Sequence, residues 1–441
     1  MSRKVFISVL GTGVYEKSYY VKDNFESSHT RFIQQATLEW LGVKDKWGKD
    51  DVALFLLTEE AEKENWYLPN NKRKLRNGNV IDYVGLESVL KGMALPCRIE
   101  DIRITEGKNE AQIWENFRII EDCIQEGDEL YFDLTHGFRY LPMLVLVLGS
   151  YVRFLKNTVV KSVSYGNYEA KKKRADSTEV NEKFDSPIVD LLPLVSLQQW
   201  TYAAGQYLES GNVRALLELG EQYWAPRLRG KQDNGKEALQ VKNLVKALER
   251  VVVEIQTCRG FFLYEGKAFA NLRKAFQIET TALPPLNPLF SIIKDSFQQF
   301  EPSPNVKNGF EAVRWCVKNG LYQQAVTLLE ESVTSYFCEK YGFSLIEKEE
   351  RGFVSWILTI EWKDFEQKVS SETLKKRGEV LFADEQINAL RESVKDLKKV
   401  RNDFNHAAWR DSPMTVKTLK EKAEKYLELF YSALFPIPEE S

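Results

Sequence analysis

Apolar runs and polar breaks alternate regularly along the first part of the chain. Val5 to Leu10 is a short apolar run that stops at Gly11-Thr12-Gly13. Phe32, Ile33, Ala36, Trp40 and Leu41 recur at helical spacing within Arg31 to Leu41. Val52 to Leu57 is apolar without alternation, the pattern of a strand covered on both faces. Arg98 to Ile104, Leu130 to Leu134 and Val159 to Tyr165 are three further strand candidates. Between them, Glu110 to Ile124 and Pro142 to Leu155 read as helices, the second mostly apolar despite Arg153 and so expected to be buried. Strands alternating with helices predict a Rossmann-like α/β domain with a parallel, doubly wound sheet. The charged stretch Lys171 to Ser186 reads as a solvated loop, after which Pro187 to Leu194 returns to the body.

From Leu197 the period changes to that of helices and stays there. Val241 to Ile255, Leu289 to Phe300, Tyr322 to Tyr336, Glu385 to Trp409 and Lys417 to Leu434 each carry an apolar stripe. The expected organisation is an α/β domain over 1–195, a helical connecting region over 196–305 and an all-α domain over 306–441. In the Glu385 to Trp409 segment the stripe runs Leu390, Val394, Leu397, Arg401, Phe404, Ala408. An arginine on a packing face is costly unless it is paired or faces a cleft.

Bulk properties narrow the function only a little. The chain has 441 residues, 28% charged and 43% hydrophobic, with a net charge of −3. There is no global basic footprint, so stable duplex-DNA binding is not expected and any nucleic-acid contact must be local. Five scattered cysteines without CxxC spacing argue against disulfides and against a zinc site. MSRKVFISVLG enters a strand-like run at once, so no signal peptide is expected. Leu141 to Leu155 is too short to span a bilayer, so no membrane segment is expected either. Together these point to a cytoplasmic protein.

Candidate chemistry gathers in two places. In an open parallel sheet, ligands bind beyond the carboxyl ends of the strands. Three such ends stand out: Gly11, Thr12 and Gly13; Thr105 and Gly107; and Asp133, Thr135, His136, Gly137 and Arg139. The first is not a dinucleotide fingerprint, because Glu16 stands where the third glycine belongs. Glycines still allow backbone amides close to a phosphate, although a plain tight turn explains them as well. The Thr105–Gly107 loop suits an anion or equally a helix cap. In the third turn, Asp133 and His136 either satisfy buried backbone, with Thr135 as a cap, or line a pocket for phosphates and bases.

The second place is Arg401-Asn402-Asp403-Phe404-Asn405-His406. A planar guanidinium suits a phosphate, and an imidazole suits proton transfer near neutrality. Asn402, four residues before His406, shares its helix face and could orient the ring. Arg401 and His406 lie about 140° apart around a helix of 3.6 residues per turn, so one straight helix aims them poorly. Two such helices across a two-fold axis would assemble both pairs in one cleft, which predicts a homodimer. The plainer reading makes His406 a surface residue and pairs Arg401 with Asp396 or Glu392 of its own helix.

SVLGTG, DLTHGFRYLP before an apolar helix, and SVSYGNYEA resemble the CRISPR-associated Rossmann-fold (CARF) domain over roughly residues 4–195. The R-x4-H stretch, with NGLYQQAVTLLEESVTSY before it, resembles the HEPN ribonucleases. Together they resemble the CARF–HEPN effector ribonucleases of type III CRISPR systems. The resemblance implies a homodimer that binds cyclic oligoadenylate, tetra- or hexa-adenylate, over the strand ends. It implies Arg401, Asn402 and His406 as the catalytic set for metal-independent endonucleolytic cleavage of single-stranded RNA, by 2′-hydroxyl attack giving a 2′,3′-cyclic phosphate, with no cofactor. Two alternatives stand beside it: a non-catalytic regulator with a helical interaction domain, and a ring nuclease that degrades its own activator, with Thr12, Thr105 and Thr135 as contacts.

Overall fold

The computed structural model describes residues 2–68, 71–75, 78–177, 182–229, 235–277 and 285–436. The chain divides into two compact units, Met1–Ser196 and Leu197–Ser441.

The first unit is built on one sheet. Its strands in chain order are β1 (Lys4–Leu10), β2 (Tyr19–Lys22), β3 (Phe25–Glu26), β4 (Val52–Leu57), β5 (Lys72–Lys74), β6 (Val80–Asp82), β7 (Arg98–Arg103), β8 (Glu129–Asp133), β9 (Val159–Gly166), β10 (Lys172–Lys173) and β11 (Phe184–Asp190). The five strands expected from the apolar runs form the parallel centre, in the order β9-β8-β1-β4-β7. Numbered among themselves they run 5-4-1-2-3, the Rossmann arrangement. Its topological switch point lies between β1 and β8. β1 and β4 are buried along almost their whole length, because helices cover both faces.

The sheet is mixed rather than wholly parallel, which corrects the expectation at one edge. β11 runs antiparallel to β9, and β2 and β3 extend the sheet beyond it. β10 and β11 pair within the charged stretch read as a loop. There Arg174 bridges Glu26 and Asp185, and Lys171 bridges Glu16. Positions 178–181 of that stretch lie outside the described residues. The short hairpin β5–β6 sits in the crossover between β4 and the helix Leu86–Met93.

The helix Leu141–Lys156 was expected to be buried, and only one face of it is. Leu141, Leu144, Val145, Leu148 and Val152 enter the core, whereas Met143, Val147, Tyr151 and Phe154 are exposed, the last at 90%. The exposed residues form a stripe at helical spacing. Trp114 and Phe117 of the helix Glu110–Asp122 continue it, with the Phe117 ring 5.4 Å from Tyr151.

The second unit is helical throughout its described residues, and one hydrophobic cluster runs from Trp200 to Leu434. The stretches 197–305 and 306–434 share that core. Within it the helix Tyr322–Lys340 packs against Lys307–Lys318, Glu385–Asn405 and Val416–Leu434. The Glu385 helix stops at Asn405, four residues before the expected end at Trp409. Ala407 and Ala408 adopt left-handed φ of 49° and 64°, which no helix continues through. Among the described residues no helix is long and apolar enough to cross a membrane.

Candidate functional site

The switch point brings the first and third predicted turns together. Gly11 follows β1 and His136 follows β8, on neighbouring strands. Tyr15 stacks on His136 with ring centroids 4.2 Å apart. A Cβ on Gly11 would stand 2.8 Å from the Tyr15 hydroxyl and 3.7 Å from His136 Cβ. The His136 Nε2 and the Tyr15 hydroxyl are buried with no hydrogen-bond partner among the described residues. Burial pushes the His136 imidazole down to about 4 and the Tyr15 phenol well above its ordinary value. A neutral imidazole with an unpartnered nitrogen beside an open glycine turn is a ready hydrogen-bonding group for a ligand.

The other residues of the third turn hold it in shape. The Asp133 carboxylate is fully buried and accepts from the Ser8 hydroxyl at 2.7 Å, the Thr135 amide at 3.1 Å and the Thr135 hydroxyl. Burial raises its pKa against the lowering effect of those bonds. Thr135 Oγ1 also accepts from the Gly166 amide at 2.8 Å, which ties β8 to β9. Gly137 has φ 123°, and a Cβ there would meet Leu141 Cδ1 at 2.7 Å. Arg139 is exposed, with no charged or hydrogen-bonding partner among the described residues.

Thr105 and Gly107, after β7, are internally engaged. Asn116 accepts from the Thr105 amide at 2.8 Å and from its hydroxyl at 3.0 Å. Asn116 then donates to the Thr105 carbonyl and to Tyr140 Oη. Gly107, at φ 69°, lets Tyr140 pack where a Cβ would come within 2.5 Å of its hydroxyl. Thr12 and Gly13 are exposed. Two residues that the sequence reading missed hold their loop from behind: Asn65 and Arg73, both buried. Arg73 sits in a short charged segment with no apolar signal, so only its contacts reveal it.

In the helical unit, Arg401 and His406 have different surroundings. The Arg401 Nε lies 3.0 Å from Glu330 Oε2 of the helix Tyr322–Lys340. The angle falls short of a hydrogen bond on both atoms. The plainer expectation of a pair within one helix is thus replaced by a pair between helices. Asp396 instead holds Lys422 and Tyr426, and Glu392 holds Lys395. Burial raises the Glu330 pKa, while Arg401 and Lys398 pull it down. Glu330, Glu331, Arg351, Ser355, Lys398 and Arg401 line a cleft of about 300 Å³. Lys398 donates to the Ser355 carbonyl and hydroxyl at 3.0 and 2.9 Å, and Arg351 bonds Glu331 at 2.5 Å. Three cations against two carboxylates leave the cleft net positive.

His406 caps the helix and is exposed outside that cleft. Its side chain and that of Asn402 make no hydrogen bond among the described residues, and the only link between them is the His406 amide to the Asn402 carbonyl at 2.9 Å. Asp403, unremarked in the sequence, is the buried member of the motif. It accepts from the Met414 amide at 3.0 Å and so fastens the loop after His406. The observed core face is Ile387, Leu390, Arg391, Val394, Leu397, Val400, Asp403. Ala408 is exposed beyond the helix end, and Arg401 sits at the edge of the face, 30% exposed. The arginine truly inside the packing face is Arg391, which donates to the carbonyls of Ile357 and Ile360.

Among the described residues, no group of three or more His, Cys, Asp or Glu is placed to hold a metal ion.

Residues 5–170 match the family model described as CRISPR system endoribonuclease Csx1, CARF domain. The chain is 24% identical over 357 residues to CRISPR-associated protein MJ1674 of Methanocaldococcus jannaschii, covering 78% of this chain and 47% of that protein. The chain therefore spans about half the length of the curated relative it matches. With the Rossmann strand order and the two turns joined at its switch point, residues 5–170 are similar to the CARF domain of the Csx1 type in both sequence and architecture.

Proposed function

We propose that the protein is a ribonuclease switched on by cyclic oligoadenylate. The first unit binds the ring over the switch point, and the helical unit cuts single-stranded RNA. The observation that carries this reading is the contact between the Gly11–Gly13 and Asp133–Arg139 turns in a domain that matches the Csx1 CARF model. Exposed glycine backbone, Arg139 and the unpartnered His136 Nε2 supply donors for phosphodiesters and an acceptor or donor for adenine.

Cleavage needs no group beyond the RNA and this chain. The 2′-hydroxyl attacks the adjacent phosphorus as its proton leaves. The bond from phosphorus to the 5′-oxygen breaks, and that oxygen takes up a proton. Arg401 binds the phosphorane oxygens, and His406 exchanges the proton. In one protomer, Arg401 faces the cleft and His406 lies outside it, which favours a site completed by a second copy. The exposed stripe Met143, Val147, Tyr151, Phe154 supports dimerisation through the first unit, since an apolar surface of that kind on a folded domain calls for a covering partner. The Glu330–Arg401 contact fits a resting state in which the arginine is masked. The activator then has to bind the unmasked arrangement more tightly.

The test is a fluorescent single-stranded RNA cleavage assay in EDTA with cyclic tetra- and hexa-adenylate in turn. Cleavage with one ring, lost in Arg401→Ala and in His406→Ala while ring binding survives, is expected. No cleavage with either ring points to the non-catalytic regulator, and full activity in both variants refutes the assignment of the catalytic pair. Linear products from a labelled ring would identify a ring nuclease. Thr105 and Thr135 are poor contacts for that chemistry, because both hydroxyls are already engaged.

A further inference from the structure

Behind the Gly11–Gly13 turn, buried donors capture its carbonyls one after another. Asn65 Nδ2 donates to the Gly11 carbonyl at 2.7 Å and to the Gly13 carbonyl at 2.8 Å. Arg73 donates to the Gly13 carbonyl at 2.8 Å and to the Thr12 carbonyl at 2.7 Å. Arg31 donates to the Tyr15 carbonyl at 3.0 Å. The donors are themselves fixed. Arg73 and Tyr83 both donate to Asn65 Oδ1, at 2.6 and 2.9 Å, and Arg73 also pairs with Glu64. The Arg31 and Arg73 guanidinium groups each lie over the Tyr83 ring, at 4.9 and 5.1 Å from its centroid. Asn65 is fully buried and the Arg73 side chain is 5% exposed, so neither is placed to meet a ligand.

Peptide planarity turns this clamp into a statement about the opposite side of the loop. Each carbonyl points away from the amide that follows it. Holding the carbonyls of Gly11, Thr12 and Gly13 inward therefore aims the amides of Thr12, Gly13 and Val14 outward. Those three residues are exposed, and their amides have no acceptor among the described residues. A row of outward amides is an anion-binding turn. The buried, unpartnered His136 Nε2 beside it is an independent sign that this rim meets a ligand.

We propose that Asn65 and Arg73 are positioning residues that hold Thr12, Gly13 and Val14 as a phosphodiester-binding turn. The ring's affinity then depends on a charged hairpin that never touches it. This rests on the reading of the first unit as a cyclic oligoadenylate sensor. The clamp also explains why the crossover after β4 carries the β5–β6 hairpin, since Arg73 is the central residue of β5.

The experiment measures calorimetric affinity of the full chain for cyclic tetra- and hexa-adenylate, in wild type, Arg73→Ala and Arg73→Lys. Both variants should bind about tenfold or more weakly, the effect of losing roughly one charge-assisted hydrogen bond. Lysine keeps the charge but not the fork that spans two carbonyls. Methylguanidinium should restore affinity to Arg73→Ala by refilling the buried site, and it should leave Arg73→Lys unchanged. A merely structural arginine would shift the melting temperature without this selective rescue. Where Arg73→Ala does not fold, Arg73→Lys decides. Wild-type affinity in the variants, or weakened affinity in folded Arg73→Ala that methylguanidinium does not restore, overturns the clamp alone. A wild-type protein that binds neither ring overturns the sensor reading and the clamp together.

Discussion

Glu330→Gln isolates the masking of Arg401. The change is nearly isosteric and removes one charge from the cleft that holds Arg351, Lys398 and Arg401. Its effect on folding should be small. The Arg401 contact at 3.0 Å is attractive but misaligned, and burying the carboxylate opposes it. The two terms leave a net of about 1 kcal/mol or less, a shift of about 2–4 °C in a unit of this size. Its effect on an RNA phosphate should be larger. A phosphate about 4 Å from the removed carboxylate loses a repulsion of about 1 kcal/mol in water-like surroundings, rising to about 4 at an effective dielectric of about 20. Taking a value near the lower end for a half-open cleft, RNA should bind about tenfold more tightly. The assay is fluorescence anisotropy with a short single-stranded RNA, in a His406→Ala background so that the probe survives. Activator-free cleavage should rise in the otherwise wild-type chain. Unchanged or weaker RNA binding at the same ionic strength would show that Glu330 does not mask a phosphate site.

Other residues yield sharper stability and assembly tests. Gly137→Ala places a Cβ against Leu141 and Val9 at φ 123°, so melting of the first unit should fall by about 2–4 kcal/mol of stability, read by circular dichroism. Burial raises the Asp133 pKa above its unfolded value, so the neutral acid stabilises the fold at low pH, and that contribution is lost as pH rises through the folded pKa. Asp133→Asn should flatten the corresponding decline in urea midpoint as pH rises above the ordinary carboxylate range, and an unchanged slope would refute the assignment. Phe154→Asp, at a position already 90% exposed, should leave the melting temperature unchanged but shift a dimer to monomer in sedimentation velocity.

The sequence alone determined the parallel centre of the first unit and the turns at its strand ends. Continuous apolar runs such as Val52–Leu57 have no other home than a sheet covered on both faces. It also marked the R-x4-H stretch, but misjudged its burial: periodicity placed Arg401 in the apolar stripe, whereas the packing angle puts Arg391 and Asp403 inside and Arg401 on the rim. Strand order was beyond it, because a switch point is set by which strands pair, not by what each one contains. Only the tertiary structure decided that Gly11 and His136 are neighbours. The same holds for Arg73 with Thr12 and for Arg401 with Glu330. Each of these pairs is far apart in the chain, and each joins groups carried by different elements. Local pattern reports propensity and periodicity, and such long-range pairing leaves no trace in either.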